Sequence, residues 1–286
     1  MNAYILSLNE KANLADQWDF GFLKDFLDDN EFDITHVSKL PKTERAIVAI
    51  PARHHAGLEI DVLIQLNNID NVVLFLMGDE EADFDVEAIK HDSISIWVQN
   101  PHMGKHDNYN KLGTGYPQHM KHHLPQEIKK TLNVYFSGQI THSRRRELAD
   151  VLIAYEDQDK STRLVRTKGF TQGEAPSEYY SYMTSAKIAP APSGAVIPDS
   201  FRLFEALECM AVPIADEVSP TKAMPGYWDW LFGDITPLPK ITEWDRIFGL
   251  IPELLEEWPH NMHKITAWYI WYKRNFALKV MEQLNA

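Results

Sequence analysis

The sequence predicts an α/β protein with two parallel-sheet halves, on three observations. Short, continuous apolar runs of strand length alternate with helix-spaced segments. The alternation lapses between Asn100 and Pro125, where His, Gly, Asn and Pro crowd together, and then it restarts. Runs that are apolar at every position, rather than at every second one, suit strands covered by helices on both faces.

The elements follow in order. Ala3–Leu8 lacks the basic residues that precede a signal sequence and reads as a first buried strand. Ala46–Ile50, Val72–Met77 and Ser93–Val98 are further strands, with helical spacing over Gly57–Leu66 and Phe84–Ile89. Asn100–Pro125 reads as a long loop or inter-domain connection, with Gly104, Gly113 and Gly115 as hinge candidates. Beyond it come a strand at Leu132–Phe136 and a helix at Ser143–Tyr155, with Leu148, Val151 and Leu152 on one face. A strand around Leu164–Arg166, a helix at Ser177–Thr184 and a strand at Lys187–Ala191 continue the pattern. A helix at Ser200–Cys209 and a strand at Val212–Ala215 complete it. The domain boundary is placed near residue 128, giving domains 1–128 and 129–286. In the tail, Trp228, Trp230, Trp244, Trp258, Trp268 and Trp271 read as packing aromatics. Helical patterns there run over Ile241–Trp258 and Met262–Leu284.

Composition narrows the function. The chain has 286 residues, 44% of them hydrophobic, and no apolar stretch reaches the roughly 18 residues a membrane span needs. Its single cysteine, Cys209, excludes an intrachain disulfide and a cysteine-built zinc site. The expectation is a soluble protein of a reducing cytoplasm. A net charge of −13 argues against nucleic acid as a partner unless Lys and Arg gather on one face. The clusters at Arg144–Arg146 and Lys121–Lys130 are short.

The most informative stretch is Ala189–Asp216, APAPSGAVIPDSFRLFEALECMAVPIAD. It reads as a strand, a loop of small residues and prolines, a helix and a second buried strand. Ser200 suits the N-cap, and the free N–H groups of the helix start would make a phosphate site. Arg202 can pair with a diphosphate, and the Glu205 carboxylate can hold sugar or ribose hydroxyls. Five histidines, His102, His106, His119, His122 and His123, crowd the connecting loop. Their spacing matches no metal motif, and no metal site is expected.

The run PDSFRLFEALECMAVPIADE resembles the exostosin-like branch of the GT-B glycosyltransferases, in which a Pro-x-Ser-x-Arg segment leads into a Glu-Ala-Leu helix and a Pro-Val or Pro-Ile strand. TQGEAPSEYYSYMTSAKIAPAPSG and VYFSGQITHSRRREL, upstream, fit the same layout, so the likeness covers Val134–Val218. Met210 and Ala211 stand where the branch commonly has glycine before that strand. The resemblance implies a GT-B fold, two Rossmann-like domains facing across a cleft, followed by C-terminal helices. It also implies transfer of a sugar from a nucleotide-diphosphate donor to a hydroxyl acceptor, without metal and with no cofactor beyond that co-substrate. Gly138 would let the phosphates approach, Arg144 or Arg145 would bind them, Ser200 and Arg202 would complete the contacts, and Glu205 would hold the ribose. The acceptors it admits are a glycan, a small molecule or a hydroxymethylated DNA base.

The first domain should then carry the acceptor and the base. Its candidates sit just after apolar strands, where open α/β sheets hold ligands: His54 and His55 in PARHHAG, and Asp79 in FLMGDEEADF. Two other readings compete. One is a non-catalytic nucleotide-sugar-binding relative of these enzymes. The other is a dinucleotide oxidoreductase, which lacks its G-x-G-x-x-G here.

Overall fold

The protein is represented by a computed structural model that describes residues 1–9, 18–169 and 172–286. It divides into two compact units, one comprising Met1–Gln118 with Tyr272–Ala286, the other His119–Trp271.

In the first unit, β1 (Asn2–Leu6), β2 (Asp33–Val37), β3 (Thr43–Pro51), β4 (Ile69–Met77), β5 (Ile94–Gln99) and β6 (Asn110–Leu112) form one parallel sheet, ordered β2-β1-β3-β4-β5-β6. Alternate residues serve its two faces. Val48, Ile50, Val72, Leu74, Ile96 and Val98 join Val62 and Leu66 of α2 (Glu59–Leu66) in one buried cluster. Phe75 and Trp97 stack on the other face with ring centroids 5.8 Å apart, and both meet Phe276, at 6.1 and 5.0 Å. Phe22 and Phe26 of α1 (Gly21–Asp29) close on that same ring at 5.2 and 5.1 Å. Both faces are therefore covered, which is why the strands read as unbroken apolar runs. Each such side chain contributes about 1.5–3 kcal/mol by leaving water.

The second unit holds a short helix α3 (Met120–His123) and then restarts the pattern. Its elements are β7 (Leu132–Gln139), α4 (Ser143–Gln158), β8 (Thr162–Thr167), α5 (Pro176–Ser185), β9 (Ala186–Ala191), α6 (Phe201–Glu208) and β10 (Val212–Asp216). After these come α7 (Tyr227–Phe232), β11 (Lys240–Ile241), α8 (Ile247–Glu256) and α9 (Trp258–Asn285), whose last turns belong with the first unit. The sheet is again all parallel, ordered β11-β10-β9-β7-β8. Trp228 and Trp244 are buried, and the Trp228 indole donates to the Asp216 carbonyl at 2.9 Å, so these two are packing residues as expected. Trp271 is exposed.

Both sheets share one topological feature. Strand order runs outward from β1 in one direction to β2 and in the other to β3; in the second unit it does the same from β7 to β8 and β9. At such a reversal the two following loops part, leaving a crevice outside the carboxyl ends of the strands.

Several expectations need correction. The chain divides at Gln118, not near residue 128, and Tyr272–Ala286 belongs to the first unit because Phe276 is the ring around which that unit's aromatic face packs. The segment read as a loop contains β6 and α3. Gly115, taken as a hinge, sits at φ +72° against Phe22, where an added Cβ would lie 2.7 Å from the phenylalanine Cβ; it is a fixed point of close approach. Among the described residues, no helix is long and apolar enough to cross a membrane.

Candidate functional site

In the second unit the strand order reverses between β7 and β9, and several of the expected residues follow these two strands. The strand β7 ends in Ser137, Gly138 and Gln139, and the chain enters α4 through His142 in an extended N-cap conformation. From β9 it leaves through Pro192, Ser193 and Gly194, a turn tight enough that a Cβ at Gly194 would meet the Asp199 carbonyl at 2.6 Å. It then enters α6 after Ser200.

Three groups here are unusually placed. The Arg202 guanidinium lies over Gly138, where a Cβ would come 2.8 Å from its Cζ. Its Nε donates to the Ser137 carbonyl at 3.1 Å, and Cζ stands 5.3 Å from the Phe136 ring centroid. Ser193 is fully buried and its hydroxyl has no hydrogen-bond partner. Both ring nitrogens of His142 are shielded from solvent, with the Ser193 backbone beside the ring. Burial pushes His142 down to about 4; the charges of Arg145, Arg146 and Arg202 push the same way, and a backbone hydrogen bond at Ser193 opposes them. The imidazole is therefore neutral and sits in a positive field. Buried polar groups left unpaired cost about 1–3 kcal/mol each, and an anion at the start of a long helix would satisfy them.

Not every expected donor residue joins this group. Gly138, Arg145 and Arg202 do. Arg144 does not: its guanidinium grips Asp216, with Nε to Oδ2 at 3.1 Å and Nη2 to Oδ1 at 2.8 Å. It also donates to the Thr242 carbonyl at 3.0 Å and to Glu147 at 2.5 Å, which commits its donors to holding α4 on the β10 edge. Asp216 is fully buried, and desolvation raises its carboxyl while Arg144 opposes that rise. Ser200 occupies the N-cap position of α6 without capping it; its hydroxyl donates to the Pro192 carbonyl at 2.9 Å and fixes the loop. Glu205 faces inward, accepting hydrogen bonds from Tyr179 at 2.7 Å and Tyr180 at 2.9 Å, one on each oxygen. Burial raises its carboxyl against the pull of those hydroxyls and of Arg202. Both oxygens are thus taken, which removes Glu205 from the side chains open to a ribose.

His142 and Ser193 were missed in the sequence. Both lie inside the stretches singled out there, but nothing in a lone histidine or serine marks it as buried and unpaired.

In the first unit the candidates for a base separate. His55 is fully buried; its Nε2 accepts from the Leu8 amide at 3.0 Å, and its Nδ1 faces the Pro51 carbonyl at 3.0 Å. That pattern fixes the neutral Nδ1–H tautomer and ties the end of β3 to the chain leaving β1. Burial lowers its pKa. His55 is a structural residue. Asp79 is likewise committed, accepting from the amides of Asp83 at 3.0 Å and Phe84 at 2.9 Å. His54, on the short 3-10 turn after β3, is exposed. Of the histidine cluster, His106 is buried with Nδ1 accepting from the His102 amide at 2.9 Å, and His102 bonds the Glu80 carbonyl at 2.7 Å. His123 lies 6.4 Å from the Tyr180 ring and nearly parallel to it. Among the described residues no group of three or more His, Cys, Asp or Glu is placed to hold a metal ion.

No protein-family model and no curated protein matches the chain. Solved structures do. A crystal structure of Anabaena Alr3699/HepE in complex with UDP-glucose matches 100% of this chain and 99% of its own, with a TM-score of 0.51 and 10% sequence identity. Structures of the same protein with UDP and glucose, and with UDP, match at a TM-score of 0.44 and 10% identity. The UDP-glucose complex establishes the fold: two parallel-sheet α/β units with helices, of the GT-B-like kind the sequence predicts.

Proposed function

We propose that the protein transfers a sugar from a nucleoside-diphosphate donor to a hydroxyl acceptor, binding the donor's diphosphate at the β7–β9 crevice. The observation that carries this is the Arg202 guanidinium over Gly138, together with the buried Ser193 hydroxyl that has no partner and His142 at the N-cap of α4 in the field of Arg145, Arg146 and Arg202. Arg202 and Arg145 supply fixed positive charge, and the start of α4, with His142 at its N-cap, adds the partial positive charge of a helix N-terminus. Such preorganised donors stabilise the negative charge that grows on a departing diphosphate, and they do so without metal. Gly138 keeps the floor of the crevice open to phosphate oxygens.

Two further facts support the reading. A protein of similar fold was crystallised with UDP-glucose, and the motif Pro198-x-Ser200-x-Arg202 stands where the exostosin-like resemblance puts a donor contact. That narrower branch rests on the sequence motif alone. A net charge of −13 favours a glycan or small molecule over DNA as the acceptor.

The test is to screen the protein's melting temperature against UDP, GDP, CDP, dTDP and ADP and their common sugars without metal, then follow nucleotide release from whichever sugar binds. A ligand that binds only the native state raises the melting temperature by mass action. A shift with one nucleotide family and release of its diphosphate supports transfer. A shift without turnover across acceptors favours a non-catalytic binding protein, and no shift at all overturns the donor site.

A further inference from the structure

A surface helix buries one stripe of apolar residues and gives its other side to polar and charged ones. The last helix, α9, follows only half of that rule. Met262, Ile265, Tyr269, Tyr272, Phe276 and Val280 recur at steps of three and four and are buried, which fixes the side the helix turns inward. On the opposite side, Lys264, Ala267, Ile270, Trp271, Arg274 and Leu278 fall within an arc of about 120°, along about 21 Å of helix. All six are exposed. Ile270 is 60% exposed, Trp271 49% and Leu278 58%, so three large apolar side chains of one stripe face water.

The charge of this helix departs from that of the chain. Of the 286 residues 41 are acidic and the net charge is −13, yet Trp258–Met281 holds no Asp or Glu. It holds Lys264, Lys273, Arg274 and Lys279, with His260 and His263. Acids return only at Glu257 and Glu282, beyond either end of the stretch. Lys264 and Arg274 lie in the exposed arc itself, before and after Ile270 and Trp271. A single exposed apolar residue is ordinary, but three in one stripe beside cations mark a surface that meets a partner.

The charges decide which partner. A second copy of the chain would set Lys264 and Arg274 against their own kind, with no carboxylate on the stripe to pair them. The surface of an anionic bilayer supplies both things the stripe calls for, phosphate charge for the cations and acyl chains just beneath for the apolar side chains. Tryptophan suits that boundary, with an apolar ring and one N–H donor. We propose that the outer face of α9 docks on the surface of an anionic lipid bilayer. The helix lies in the plane of the headgroups, with Ile270, Trp271 and Leu278 turned toward the acyl chains and Lys264 and Arg274 toward the phosphates. Docking of this kind requires no nucleotide and stands apart from the donor reading.

The experiment is co-sedimentation of the full chain with vesicles of phosphatidylcholine, either alone or with about one-third phosphatidylglycerol, in about 0.1 M salt. Wild type is compared with two double variants, Ile270→Ser with Trp271→Ser and Lys264→Glu with Arg274→Glu. A third, Lys129→Glu with Lys160→Glu, makes the same change of charge at exposed positions elsewhere. All these side chains are exposed, so each variant should melt within about 3 °C of wild type. Wild type should bind the anionic vesicles at least about 10-fold more strongly than the neutral ones, and should leave them as salt rises to about 0.5 M. Each double variant of α9 should lose about 10-fold or more of that binding, and the Lys129, Lys160 variant should keep it. Equal binding to both vesicles, no binding to either, or α9 variants that bind as wild type does would overturn the proposal. So would a wild-type dimer in equilibrium sedimentation that Ile270→Ser with Trp271→Ser converts to monomer, which would give the face to a second copy.

Discussion

The guanidinium of Arg202 lies over the backbone of Gly138, close enough that its Cζ would stand 2.8 Å from any Cβ placed there. The two residues come from different elements, the end of β7 and the first turn of α6, and each is legible only through the other. Gly138 is glycine because an arginine head, not a turn, needs the space. Gly138→Ala should therefore displace the far end of Arg202 and leave the strand intact. The expected result is a melting temperature within a few degrees of wild type and nucleotide binding weakened about 10-fold, measured by titration calorimetry.

Arg144 should behave in the opposite way. Its pairing with the buried Asp216 is bidentate and has no water to fall back on. Removing one partner strands the other charge in the interior, at a cost of about 3–5 kcal/mol. Arg144→Ala should lower the denaturation midpoint sharply. The double variant Arg144→Met with Asp216→Leu should recover much of the loss, because a paired apolar replacement leaves no buried charge.

Glu205 can be tested as an anchor. Glu205→Ala leaves the hydroxyls of Tyr179 and Tyr180 without their acceptor and should destabilise the unit by a few kcal/mol. Glu205→Gln keeps an oxygen and a shape match, and it should retain most of the stability and the nucleotide affinity. A selective loss of affinity in Glu205→Gln, with stability unchanged, would restore the ribose role suggested by the sequence.

The titration of His142 gives a prediction in pH. Its folded pKa, about 4, lies below the ordinary histidine value of 6.5. Between those values the unfolded chain binds a proton that the folded chain refuses, so stability declines as pH falls from about 6.5 and levels off near 4. His142→Gln should flatten part of that slope in chemical denaturation series. A bound diphosphate supplies the anion that the protonated ring lacks. Nucleotide binding at pH 6 should thus be accompanied by proton uptake, seen as a calorimetric enthalpy that changes with the buffer's ionisation enthalpy.

Much of the architecture was written in the chain, for a physical reason. Ala46–Ile50 and Val72–Met77 are covered on both faces, so every residue in them is apolar and the run stands out. The two edge strands of the first sheet were not legible. Asp33–Val37 and Asn110–Leu112 pair on one side only, and their alternation with polar residues matches a loop as well as a strand. The site followed the same rule. The order of motifs singled out Gly138, Arg145 and Arg202; the structure sets Arg202 over Gly138 and the Arg145 charge near His142, and their part in donor binding is the proposal. Arg144 misled because sequence spacing cannot distinguish an arginine that faces the crevice from its neighbour, turned about 100° around the helix toward Asp216. His55 misled similarly: a histidine after a strand end is equally suited to chemistry and to tying two strand ends together, and only the burial of both nitrogens decides.

The central claim is that the β7–β9 crevice binds a diphosphate through Arg202. Its most direct test is calorimetric titration of UDP, and of the other nucleoside diphosphates, into wild type, Arg202→Ala and Lys160→Ala, the last an exposed side chain paired with Asp157. The account predicts binding to wild type without added metal, unchanged in Lys160→Ala and weakened about 10- to 100-fold in Arg202→Ala, the loss of a charged hydrogen bond. Equal affinity in wild type and Arg202→Ala, or no binding by any nucleoside diphosphate, would contradict it.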